Sequence, residues 1–237
     1  MKPLKILHLY PDRMNIYGDF GNIICLKHRM QARSIKSQYF SRTVDEEIDQ
    51  DFDIIFMGGG QDKGQASIAQ DLQLKSRTLH EHFMRNVPIL TICGAYQLFG
   101  KYFITAEGEE LPGIGIFNAV TKATDFRMIG NIVLQSETFG ELVGFENHSG
   151  STELLEGSQP LGQVSKGFGN SKDCKTEGIL QGNAIGTYLH GSFLPKNPAV
   201  ADFIIEQAVR LSQPNYKISE LDDWLENKAN KIAQTRG

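Results

Sequence analysis

Three short apolar runs constrain this chain more than any other feature. "LKILHLY" (residues 4–10), "FDIIFM" (52–57) and "PILTI" (88–92) are strand-length, and each stops at a breaker: Pro11, the run Gly58-Gly59-Gly60, and Cys93-Gly94. Between them lie helical patterns. "GDFGNIICLKHRMQARS" carries Ile23, Ile24, Cys25, Leu26 and Met30, which predicts a helix over about 20–33, and a polar helix fits about 66–86. "IKSQYF" at 35–40 reads as a further strand, and another helix starts near 94. Strands that alternate with helices predict βαβ units, so the expected fold is α/β with a mostly parallel central sheet flanked by helices.

The second half differs. Residues 111–189 hold the strand-like runs "NIVLQSE", "ELVGFEN", "LGQVSKG" and "NAIGTYLH", rich in glycine and poor in helix, so some antiparallel strands are expected there. The tail returns to helix over about 198–234. "NPAVADFIIEQAVRL" places Ala201, Phe203, Ile204, Ala208, Val209 and Leu211 on one face, and Ser219 to Asp222 resembles a capping box for a last helix containing Trp224. There is no internal repeat, and residues 1–237 read as a single domain.

Charge is near balance, 24 Lys+Arg against 28 Asp+Glu, with no basic stripe, which argues against nucleic acid as a partner. No apolar run approaches the roughly 18 residues of a membrane span. "MKPLKILHLYPDR" has the order of a secretory signal, but its apolar part is short and carries His8, so a first strand is expected instead. The 3 cysteines, Cys25, Cys93 and Cys174, are odd in number and widely spaced, which fits a reducing cytoplasm. Without a CxxC, no metal site is expected.

Cys93 stands where a strand turns into a helix, followed by the small residues Gly94 and Ala95. A helix N-terminus presents free N–H groups and partial positive charge, both favouring thiolate. A sharp turn of this kind also lifts the side chain clear of the sheet. Cys25 and Cys174 read as small apolar fillers. A thiolate nucleophile needs a base and an oxyanion site. His190 ends "AIGTYLHGSF" at a strand end, where parallel sheets gather ligands, and His148 in "GFENHSG" competes with it. His8 reads as core, His28 as solvated, and His80 and His82, two apart on a helix, point away from each other. Gly94 N–H and one N–H from Gly58, Gly59 or Gly60 are the candidate oxyanion donors. Gly59 to Ala66 has GxxxxG spacing but continues Gln-Ala, so it lacks the Lys-Ser/Thr of a P-loop. "GIGIFN" and "GFGNSK" lack the third glycine of a dinucleotide site. No cofactor is expected in this chain.

"TICGAYQ", the glycine run and "TYLHG" together resemble the class I (triad-type) glutamine amidotransferases, which hydrolyse glutamine through a γ-glutamyl thioester and deliver ammonia to a synthetase. "GFENHSG" and "GTYLHGSFLPKNP" are similar to the branch with cobyric acid synthase-like domains. Within it the chain looks like the glutaminase subunits of lipid II isoglutaminyl synthases, from "DRMNIYGDFGN" to "HGSFLPKNP". The resemblance implies a flavodoxin-like sheet, Cys93 as nucleophile, His190 as general base and acid, and Gly94 with Gly59 or Gly60 at the oxyanion. It implies Gln97 shaping the pocket and Arg127, in "TDFRMIG", near the substrate's α-carboxylate. It also implies L-glutamine as substrate and a heterodimer with a Mur-ligase-like synthetase subunit that carries ATP and Mg and takes lipid II as acceptor. The complex would be cytoplasmic, at the inner face of the membrane.

Two departures from that pattern stand out. Triad enzymes carry glutamate two residues after the histidine, where this chain has Ser192; Asp19, Glu146 or a partner carboxylate are the alternatives for orienting His190. Thr91 and Ala95 replace glycines of many relatives. Three rival readings remain open at this point: a cysteine hydrolase on the same scaffold, a glutaminase for another acceptor such as a corrinoid acid, and a binding module that has kept only the fold.

Overall fold

The computed structural model describes residues 2–60 and 62–235. Part of the Gly59–Ala66 stretch, Gln61 and the side chains through Ala66, lies outside the described residues. The first half builds β1 (Leu4–Leu9), α1 (Gly21–Ala32), β2 (Ser37–Arg42), β3 (Ile54–Met57), α2 (Asp62–Met84), β4 (Ile89–Ile92) and α3 (Gly94–Phe99). β1, β3 and β4 pair in parallel, and β2 adds in parallel as an edge. β3 and β4 are buried throughout and β1 nearly so, as a sheet covered on both faces requires. The half-exposed β2 runs two residues later than "IKSQYF" predicts, because Ser34 takes a left-handed turn and Ile35 is spent closing the C-terminus of α1.

The chain then leaves this sheet. β5 (Tyr102–Ile104), β6 (Glu110–Pro112), β7 (Ala119–Ser136), β8 (Gly140–Leu154), β9 (Gly162–Lys166) and β10 (Thr176–Glu177) form a second sheet. Its spine is the long antiparallel hairpin β7–β8, turned at Gly140 with φ +72°. "NIVLQSE" and "ELVGFEN" are only the inner halves of these strands. β11 (Ile179–Gln181) and β12 (Ala184–Thr187) return to the first sheet, giving the order β11-β12-β4-β3-β1-β2 with β11 alone antiparallel.

α4 (Pro198–Arg210) opens on proline, which suits the first helical position, and buries Val200, Ala201, Ile204, Ile205, Ala208 and Val209 in the main core. Leu211 falls outside the helix and is about one-third exposed, at 36%. Arg29 of α1 donates to both Asp202 and Asp223, tying α1 to α4 and to the following segment. The capping box expected at Ser219 does not form. α5 (Trp224–Thr235) starts later, with Asp222 Oδ1 accepting Trp224 N–H, while the Ser219 carbonyl accepts Arg33 Nε at 2.6 Å. Among the described residues no helix is long and apolar enough to cross a membrane.

Candidate active site

β12 and β4 run in parallel with Thr187 beside Ile92, so the chain leaves both strands at the same rim. Cys93 follows β4 at once and is 7% exposed. Its backbone sits at φ +52°, ψ −109°, a region that costs a non-glycine residue about 1–3 kcal/mol. The conformation persists because both backbone groups are tied: Cys93 N–H donates to Thr187 O at 2.8 Å, and Cys93 O accepts Gln97 N–H at 3.0 Å. Thr91 and Ala95 are fully buried and cause no obstruction; the Thr91 hydroxyl donates to Ile185 O.

His190 lies three residues beyond β12 and exchanges two backbone hydrogen bonds with Phe145 of β8. Its Nδ1 is 3.3 Å from Asp19 Oδ1, both side chains being fully buried. Burial pulls the imidazole pKa down, but the charge of a Cys93 thiolate and the bond to Asp19 outweigh it, so the net shift is upward, toward imidazolium. The sulfur is near enough to act on the ring by charge and hydrogen bonding, yet among the described residues Nε2 has no partner that meets ordinary hydrogen-bond geometry. Such slack is usual before a ligand closes the site.

Asp19 answers which carboxylate within the chain meets His190. Its other oxygen accepts Gly59 N–H at 2.8 Å. Glu146 is elsewhere: it accepts the N–H groups of Phe168 and Gly169. Ser192 does not touch His190 either; its hydroxyl donates to Gly18 O at 2.7 Å and braces the loop that carries Asp19. Gly59 must be glycine, since a Cβ there would meet His190 Cε1 at 2.6 Å. Gly59 N–H is committed to Asp19, while Gly60 lines the cavity beside Cys93.

That cavity holds about 230 Å³ and is lined by Cys93, Gln97, Tyr17, Arg127, Asn147 and His148 among others. It is smaller than the roughly 300–1,000 Å³ of drug-sized sites and fits a ligand of amino-acid size. Arg127 lies within an irregularity in β7, where the register slips between Ala123 and Met128, a device that re-aims side chains. It is exposed at the mouth, with Nε donating to Asn147 Oδ1 at 2.7 Å. Buried Gln97 donates to Tyr188 OH at the inner wall.

His148, the rival base, is spoken for. Nδ1 donates to Gly150 O at 2.9 Å, and the ring stacks on Tyr188 at 3.5 Å. Burial pushes its pKa down to about 3, so it is neutral. His8 is core, also lowered by burial, to about 4. His82 accepts Phe52 N–H and His80 reaches Ile114 O, so both are structural. Sequence reasoning passed over Tyr17, whose ring meets His190 edge-on at 4.9 Å, and Asn147, which donates to Tyr17 OH at 2.8 Å. An aromatic flanked by Gly18 in a polar loop carries no periodic signal.

Residues 5–198 match the CobB/CobQ-like glutamine amidotransferase domain. The chain is 41% identical, over 98% of its length and 95% of the relative's, to a protein named lipid II isoglutaminyl synthase (glutamine-hydrolyzing) subunit GatD from Staphylococcus aureus. It is 37% identical to the protein of the same name from Streptococcus pneumoniae, over 87% of this chain and 81% of that one. In fold it is similar to a glutamine amidotransferase from Thermotoga maritima, with TM-score 0.54 and 13% identity over 99% of this chain and 94% of that one. With a family match across most of its length and relatives that align almost end to end, the chain belongs to the CobB/CobQ-like glutamine amidotransferases.

Proposed function

We propose that this chain is the glutaminase subunit of a two-subunit amidating enzyme, hydrolysing L-glutamine at Cys93. The observation that carries this reading is Cys93 on a strained strand-to-helix turn, beside a His190–Asp19 pair, at the floor of a cavity with Arg127 at its mouth.

The sulfur of Cys93 attacks the side-chain amide carbon of glutamine. The carbonyl oxygen takes the charge and is held by Gly94 and Gly60 N–H. His190, held by Asp19 at Nδ1, gives the proton from Nε2 to the departing nitrogen as the C–N bond breaks, leaving a γ-glutamyl thioester and ammonia. Water then loses a proton to His190, attacks the thioester and releases glutamate and the thiolate. Asp19 fixes the imidazole and stabilises its cationic form without taking the proton itself. Arg127 holds the α-carboxylate through its guanidinium.

The near full-length similarity to proteins named lipid II isoglutaminyl synthase subunits supports the acceptor. Ammonia passes to a Mur-ligase-like partner that carries ATP and Mg and amidates the D-glutamate α-carboxyl of a lipid II stem peptide. The pair works in the cytoplasm, at the inner face of the membrane. Co-purification from the native cell, then glutamate release by the pair, by the chain alone and by a Cys93→Ala pair, tests this. Release that depends on Cys93 and is coupled to stem-peptide amidation is expected; a chain that neither binds nor hydrolyses glutamine overturns it. Equal turnover with and without the partner assigns the carboxylate to Asp19, and turnover only with the partner assigns it to the partner subunit. A glutamine-directed affinity label on Cys93 separates this reading from a peptidase on the same scaffold.

A further inference from the structure

Arg127 does not stand alone at the cavity mouth. Its Nε is used on Asn147 Oδ1, and among the described residues no other side chain takes its two terminal amino groups. Asn147 Nδ2 donates to the hydroxyl oxygen of Tyr17. These bonds fix one assignment of every atom: arginine only donates, so the asparagine oxygen faces it and the amide nitrogen faces the tyrosine. Tyr17 OH is therefore an acceptor in this chain of bonds, and its own proton remains to be given. Tyr17 and Asn147 both line the cavity, and the Tyr17 ring meets His190 edge-on at 4.9 Å.

The backbone points the same way. Tyr17 is held at φ +54°, ψ +24°, the left-handed region, within a short turn that ends at Gly18 (φ +78°). A bulky aromatic is held there only where the surroundings over-determine it. On one side Ile16 N–H donates to Gly59 O and the Ser192 hydroxyl donates to Gly18 O; on the other Asn147 holds the phenol.

Resting on the glutaminase reading, we infer that Tyr17 is a second carboxylate-binding residue and Asn147 its positioning residue. The Tyr17 O–H and the two free amino groups of Arg127 converge on one anionic oxygen pair, so the mouth selects ligands with a free α-carboxylate over their amides. Asn147 touches no substrate. It sets the distance between the two donors and turns the phenol proton toward the ligand.

The test uses the full chain carrying Cys93→Ala, in which ligand binding is measured by calorimetry without turnover. L-Glutamine and its α-amide, which lacks the carboxylate, are compared. Tyr17→Phe removes one oxygen from a half-exposed side chain and keeps the ring. It should weaken glutamine binding about tenfold or more, the size of a hydrogen bond to a charged group, and leave the α-amide unchanged. Asn147→Ala should weaken glutamine binding too, and the double variant should bind no worse than Tyr17→Phe by more than about twofold, because both act through one carboxylate. In the Cys93 protein the same Tyr17→Phe change should raise KM and spare kcat. Equal losses for glutamine and its α-amide, or no loss with Tyr17→Phe, overturn the inference while leaving the glutaminase reading intact. If the chain with Tyr17 and Asn147 unaltered binds neither ligand, both fall together.

Discussion

The two sheets divide the labour of the site. The first presents short, parallel, buried strands, and at its rim the chain is forced into conformations that few residues tolerate: Cys93 at φ +52°, Gly191 at φ +75° and Ser192 at φ +52°. The second presents a long antiparallel hairpin with one wet face, and its contribution is a row of polar side chains, Arg127, Asn147 and His148, along the cavity wall. The strained rim thus carries Cys93, and the hairpin, a ladder with a local slip, lines the cavity wall. A rim fixed by buried strands holds geometry; a half-exposed hairpin offers side chains that vary without disturbing the core.

The largest effect should come from the strained rim. Cys93→Ala should remove glutamine hydrolysis, by up to about a million-fold in kcat as for other covalent nucleophiles. Cys93→Gly should also be inactive, yet more stable by about 1–3 kcal/mol in denaturant unfolding, since glycine relieves the left-handed backbone. A Cys93→Gly chain no more stable than its parent would break the idea that this rim stores strain.

Next is Asp19. Asp19→Asn keeps an acceptor for Gly59 N–H but loses the charge beside His190. A drop of about 10³- to 10⁴-fold in kcat is expected, with glutamine affinity little changed. The hairpin should behave otherwise. Arg127→Ala should raise KM about ten- to a hundredfold and spare kcat, read from steady-state glutamate release. A kcat loss equal to that of Asp19→Asn would erase the distinction between the two regions.

The smallest effect concerns the seam. Glu177, at the end of β10, reaches across to β12, accepting Tyr188 N–H at 2.6 Å and the Thr187 hydroxyl. Full burial pushes its pKa up to about 8, against bonds that pull it down. Between the ordinary glutamate value of 4.5 and that of the folded chain, the folded state holds a proton the unfolded state has lost. Stability should therefore fall as pH rises through this window, and Glu177→Gln should flatten that slope in denaturation curves. An unchanged slope would show the carboxyl to be ionised in place.

Much of the first sheet was legible because apolar runs, breakers and helical spacing are local signals: β1, β3, β4, α1 and the turn at Cys93 follow from stretches of under twenty residues. The second sheet was legible only as scattered alternation. β5, β6 and β10 are two or three residues long, and nothing local says that β7 and β8 run on for 18 and 15 residues or that β12 rejoins the first sheet. The site follows the same line. Cys93 and His190 stood out at element ends, and Arg127 and Gln97 came only through resemblance. The choice between Asp19 and Glu146 needed the fold, because Asp19 meets His190 across 171 positions of sequence. Only the fold, likewise, reveals that Gly59 N–H is taken by Asp19.

The backbone exchange between Phe145 and His190 joins the imidazole to the very strand that carries Asn147, two residues on. The His190 ring is thereby hitched to the hairpin rather than mounted on its own strand alone. Whatever presses on the outer ladder, a filled mouth or a docked neighbour, arrives at the ring through two amide links, with no relay through the interior.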